Sequence, residues 1–125
     1  MQEPRPENDI ATLLNSALAL HRSGGLADAL EVYRQVLARE PQHFDALHLR
    51  GVALMSFGQH ALALDSFDYA IETRADYAEA HNNRGLALAA LKRFEEAVAS
   101  YDRAIALSRS KRTMPKPTPI AAMRS

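Results

Sequence analysis

The chain has 125 residues, 47% hydrophobic and 24% charged, with fifteen basic and fifteen acidic side chains and no cysteine. That is the size and composition of one globular domain, and it excludes disulfides, thiolate metal sites and cysteine nucleophiles. No apolar run approaches the ~18 residues of a membrane span. The N-terminal stretch MQEPRPEND carries charges where a secretory signal has its apolar core, so the expected location is cytoplasmic. The overall neutrality hides a partition. Residues 109–125 carry five basic side chains and no acid, whereas residues 1–108 hold ten basic against fifteen acidic ones. An acidic body opposes phosphate affinity, so nucleic acid is not an expected partner.

In chain order, residues 1–8 lack a periodic apolar pattern and are expected to be disordered. From Ile10 onward, apolar residues recur three and four apart, as at Ile10, Leu14, Ala17 and Leu18, which is helical spacing. The pattern predicts helices over 9–23, 26–39, 44–57, 60–73, 78–91 and 94–112, and strand alternation is absent. Gly24 with Gly25, and Gly58, mark breaks where a residue with positive φ ends a helix at low cost. Lys92 stands at the corresponding break of the last pair. Asn8 is read as the N-cap of the first helix, and Asp76 with Glu79 has capping-box spacing before the fifth. The end, 113–125, is basic, and Pro115, Pro117 and Pro119 forbid a continuing helix there.

Residues 10–43, 44–77 and 78–111 superimpose at a spacing of 34 with no insertion. Position 8 of the three units is Ala17, Gly51 and Gly85; position 20 is Ala29, Ala63 and Ala97; position 24 is Tyr33, Phe67 and Tyr101; position 27 is Val36, Ala70 and Ala104. This pattern resembles the tetratricopeptide repeat, with small residues at 8, 20 and 27 and an aromatic at 24. The proline usual at position 32 is present as Pro41 and replaced by Ala75 and Arg109. The resemblance implies an all-α fold: a right-handed superhelical solenoid of three helix-turn-helix units, 10–43, 44–77 and 78–111, within a domain spanning 9–112.

In that family the first helices of the units line a concave groove. The resemblance places there Leu14, Asn15, Leu18, His21 and Arg22 from the first unit, with Ala11 beside them. The second contributes His48, Leu49, Val52 and Met55, with Asp45 and Ser56. The third adds Glu79, Asn82, Asn83 and Leu86. The mixture of apolar and polar side chains suits a protein or peptide partner, bound as a peptide or a helix. It does not suit the carboxylate clamp of chaperone-tail binders. That clamp has Lys, Asn, Asn, Lys and Arg where this chain has Leu14, Leu18, Leu49, Glu79 and Asn83. Asn15 and Asn83 match part of the asparagine row in repeat arms of O-linked N-acetylglucosamine transferases, which is the closest flavour of the resemblance and would let both bond a peptide backbone.

Catalytic constellations are absent from the sequence. The five histidines share no zinc-type i, i+4 pair, no phosphate-cradling loop is present, and acidic pairs such as Asp65 with Asp68 are expected to be solvated on the outer helices. No metal, cofactor or enzymatic activity is expected. The leading expectation is a non-enzymatic interaction scaffold. The alternatives are a substrate-selecting repeat arm of a larger enzyme such as a glycosyltransferase, or a self-assembling structural protein. Homo-oligomers are expected through either the uncovered third unit or the segment 115–123.

Overall fold

The computed structural model describes residues 9–113, which form six helices and, among the described residues, no strand: α1 (Ile10–Arg22), α2 (Leu26–Arg39), α3 (Phe44–Ser56), α4 (His60–Thr73), α5 (Ala78–Ala90) and α6 (Phe94–Thr113). Each helix packs on its neighbours in sequence, and α3 also touches α5. The result is a solenoid of three helix pairs. The expected N-terminal disorder and the tail beyond Thr113 lie outside the described residues.

Within a pair, helix approach is governed by position 8. A β-carbon on Gly51 would sit 2.5 Å from Cε1 of Phe67, and one on Gly85 would sit 2.6 Å from Cε1 of Tyr101. The aromatic ring at position 24 therefore lies directly on the glycine backbone of the partner helix. The three atoms nearest to a β-carbon at Gly51 all belong to the Phe67 ring. Ala17 takes this place in the first pair, where Tyr33, Ala29 and Ala53 share its cluster. Tyr33, Val36, Phe67 and Leu88 are fully buried and mark the core along the array.

The three pair-closing turns fall on equivalent residues, and all three take positive φ: Gly24 at 90°, Gly58 at 80° and Lys92 at 63°. Glycine reaches this region without penalty, whereas a lysine there costs about 1 kcal/mol. The caps at two helix starts differ from expectation. α1 begins at Ile10 with Asp9 in the cap position, displacing Asn8, and Asp9 makes no side-chain cap bond. Tyr77 and not Asp76 caps α5, because the helix begins one residue later than a box from Asp76 requires, and Glu79 accepts the Tyr77 hydroxyl at 3.2 Å instead. A side-chain cap occurs at α3, where His43 Nδ1 accepts the Ala46 N–H at 3.2 Å.

The missing prolines have unequal effects. α4 stops at Thr73, in register with α2, as Arg74 turns extended and its N–H closes on the Ala70 carbonyl at 2.9 Å. α6, with Arg109 in the proline place, runs on to Thr113.

Across the second joint, Arg84 of α5 donates from Nε to Asp68 of α4 at 2.6 Å and from Nη1 to Ser100 Oγ of α6 at 2.7 Å. Asp68 is thus paired and not merely solvated. Across the first joint, the place of Asp68 is held by Arg34, which pairs with Glu31 on its own helix. Ser66, the counterpart of Ser100, has a buried hydroxyl without a partner.

Gly51→Ala is expected to lower stability by about 1–3 kcal/mol despite alanine's better helix propensity, since the ring must move. Lys92→Gly is expected to raise it by about 1 kcal/mol. Chemical denaturation of the three proteins checks both signs.

Candidate functional site: the concave helix face

α1, α3 and α5 present the face on which the site residues were expected, and the structure divides those residues. Between α1 and α3 lies an open hollow of about 400 Å³ bounded by Ala11, Leu14, Asn15, Leu18, Asp45 and Leu49. Leu14 and Leu49 are half-buried there because their other sides pack on the cluster of Ala17, Tyr33 and Ala53. Asn15, Arg22, Glu79, Asn82 and Leu86 are exposed, and His21 and Leu18 are half-exposed. Val52 and Met55 pack against the central core cluster around Phe67 and Leu88. Their surface available to a ligand is correspondingly reduced.

His48 is only 6% exposed and sits inside the second joint, not open to the groove. Its ring stacks near Phe44 (centroids 5.8 Å apart) and meets Tyr77 (5.6 Å) and Phe67 (5.8 Å) edgewise or tilted. Arg74 covers the cluster, its guanidinium carbon 4.6 Å from the Phe44 centroid. Asn83 Nδ2 lies 2.9 Å from His48 Nε2. An amide nitrogen can only donate, so Nε2 is the acceptor and the ring proton resides on Nδ1. This bond joins α3 to α5 and occupies the amide that a peptide backbone would otherwise take. Asn15, by contrast, stays exposed on α1.

The cluster of Phe44, His48, Phe67 and Tyr77 escaped sequence reasoning. Its members come from positions 1, 5, 24 and 34 of one unit, a set with no common periodicity. Two other histidines have local roles. His81 Nε2 donates to the Ala75 carbonyl at 2.7 Å, and His60 Nδ1 lies 3.4 Å from Met55 Sδ. Among the described residues no three His, Cys, Asp or Glu side chains are grouped closely enough to hold a metal ion.

Burial pushes His48 below the ordinary histidine value of 6.5, and the carboxylates of Glu79 and Asp45 only partly oppose this. The unfolded chain therefore takes up a proton that the folded chain refuses. Stability is full above about pH 6.5 and falls as pH drops below it toward the folded-state value. Thermal melts between pH 7.5 and 5 are expected to show a smaller loss in His48→Gln, which keeps an acceptor for Asn83 without a titrating ring. Equal losses in both proteins would mean that His48 is not the group responsible.

The tetratricopeptide repeat family matches the chain over residues 14–78 and again over 78–111. No curated protein matches it in sequence. Among solved structures, a crystal structure of MamA superimposes with a TM-score of 0.79 at 19% identity, covering 83% of this chain and 61% of its own. MamA 41-end from Desulfovibrio magneticus RS-1 gives 0.78 at 27% identity, covering 83% of this chain and 59% of its own. The first repeat domain of Spaghetti (RPAP3), bound to the HSP90 peptide SRMEEVD, gives 0.76 at 23% identity and covers 78% of each chain. The chain thus spans about three-fifths of the MamA chains that it matches. The likeness to glycosyltransferase arms, drawn from Asn15 and Asn83, finds no support in these comparisons. The 34-residue period, the glycine-to-ring contacts of the second and third pairs and both family matches agree, and the chain belongs to the tetratricopeptide repeat family.

Proposed function

We propose that the chain is a non-enzymatic interaction module that grips an apolar peptide or helix of a partner protein along α1, α3 and α5. The observation that carries this reading is the hollow between α1 and α3, where Leu14, Leu18 and Leu49 offer apolar surface beside the Asn15 amide and the Asp45 carboxylate. Leu86, 46% exposed, extends the apolar strip to the third unit. A concave, mostly apolar surface with few polar groups is the usual composition of a peptide-binding groove. A cytoplasmic setting is part of the proposal.

The RPAP3 domain holds an acidic peptide, SRMEEVD. Here the clamp places contain leucines, Asn83 and the acidic Glu79, and Asn83 is already engaged by His48. An acidic chaperone tail is therefore the wrong ligand: Glu79 repels a carboxylate and no lysine replaces it. Backbone recognition rests on Asn15 alone unless a ligand displaces the Asn83 bond.

Leu18→Glu and Leu86→Glu are expected to weaken capture of the partner from the native cell extract by about tenfold or more, since a charge enters the apolar contact. Val52 is a poor choice for this purpose because it supports the core. Calorimetric titration with SRMEEVD is expected to show no saturable binding. A partner retained by both variants, or a tight complex with SRMEEVD, rejects the groove reading.

A further inference from the structure

The 34-residue translation maps the outer edge of one unit onto the next, so it states what each edge is built to meet. On α4, Leu64 and Phe67 are 6% and 0% exposed, buried as α5 packs alongside. Their counterparts on α6 are Val98 and Tyr101. Val98 is 55% exposed, and Ile105, one helical turn beyond Tyr101, is 52% exposed. An open hollow of about 790 Å³ runs between α5 and α6 beside Tyr101, Ala104 and Ile105. The end of the array therefore has the stripe that elsewhere receives a first helix, without that helix among the described residues.

The two helices that do fill such an edge share a pattern. α3 brings Ala46, Arg50 and Ala53, and α5 brings Ala80, Arg84 and Ala87, each Ala-x3-Arg-x2-Ala. All four alanines are completely buried. The α5 arginine closes on Asp68 of the preceding unit. Asp102 of α6 stands 34 residues after Asp68 and is exposed. The free edge thus repeats both halves of the recognition seen at the second joint, an apolar stripe and a carboxylate in the place that takes an arginine.

The geometry points to a docking site on the α6 edge for an amphipathic helix of another protein carrying Ala-x3-Arg-x2-Ala, its alanines on Val98, Tyr101 and Ile105 and its arginine on Asp102. A second copy of the chain is the poorer occupant. Its one first helix not already inside a joint is α1, which has Thr12, Ser16 and Ala19 at the three places and so lacks the arginine.

The probe is a labelled, side-chain-stapled helix with the sequence of Ala78–Leu91 carrying Gly85→Ala, titrated into the full-length chain by fluorescence anisotropy. Saturable binding is expected, reduced about five- to tenfold when Arg84 of the probe is changed to glutamate. Asp102→Arg in the protein is expected to reverse that order, weakening the arginine probe and restoring the glutamate probe. Ile105→Glu is expected to abolish binding, with an unchanged circular-dichroism spectrum showing that the helices persist. Leu18→Glu, in the concave groove, is expected to leave the titration unchanged, which separates this site from the groove. Absence of saturable binding, insensitivity to both charge reversals, or loss on Leu18→Glu overturns the proposal. So does sedimentation of the full-length chain as a dimer that Ile105→Glu dissociates, because a second copy then owns the edge.

Discussion

The array depends on an aromatic ring lying against a helix with little or no side chain at the point of contact, glycine in the second and third pairs and Ala17 in the first. Gly51 under Phe67 and Gly85 under Tyr101 bring backbone and ring to a separation that a single methyl would violate. That closeness makes each pair a unit with little freedom to slide, so one face of every pair can be specified by the other. The same ring that seals its own pair is then the floor on which the next first helix is laid, as Phe67 is for the cluster of Ala87 and Leu88. Stacking and pairing are therefore one problem solved by one residue type at one position. The fully buried alanines, Ala63 among them, fill what the ring leaves without adding bulk.

The concave face inherits this arrangement with a complication. First helices must both pack inward and present outward, and half-buried Leu14, Leu49, Val52 and Met55 are divided between those tasks. His48 and Asn83 illustrate the division most sharply. Together they form a polar link in an apolar joint, where an unpaired ring nitrogen would carry the full cost of desolvation. A ligand wanting the Asn83 amide would have to compensate that loss. If the groove binds as proposed, its selectivity favours partners that ask for apolar area and leave the joint alone.

Much of the fold was legible in the sequence, because the 34-residue period multiplies each weak local signal by three. The helix limits to within one residue, the position of the turns and the anomaly of Lys92 all follow from aligning the units. What was not legible were contacts between side chains from different helices. Asp68 reads as one more exposed acid until Arg84 arrives from the following unit. His48 reads as a groove residue because its position usually is one; Phe44, Tyr77 and Arg74 draw it inward, and none of them belongs to the repeat signature. The caps failed for a different reason: Asp76 and Asn8 are each one residue too early, and boundaries to that precision depend on tertiary docking.

The asymmetry between the two joints reaches further than its single arginine suggests. In a linear array each unit senses only its neighbours, so rigidity is set joint by joint. The second joint is fastened by the Arg84 bridge and by the ring cluster around His48; the corresponding place in the first holds Arg34, and Ser66 goes without a partner. The hollow beside Leu18 and Leu49 lies across that less fastened joint. On the proposed role, the surface offered to a ligand thus spans the joint with fewer polar fastenings, while the joint beyond it carries the Arg84 bridge and the His48–Asn83 bond.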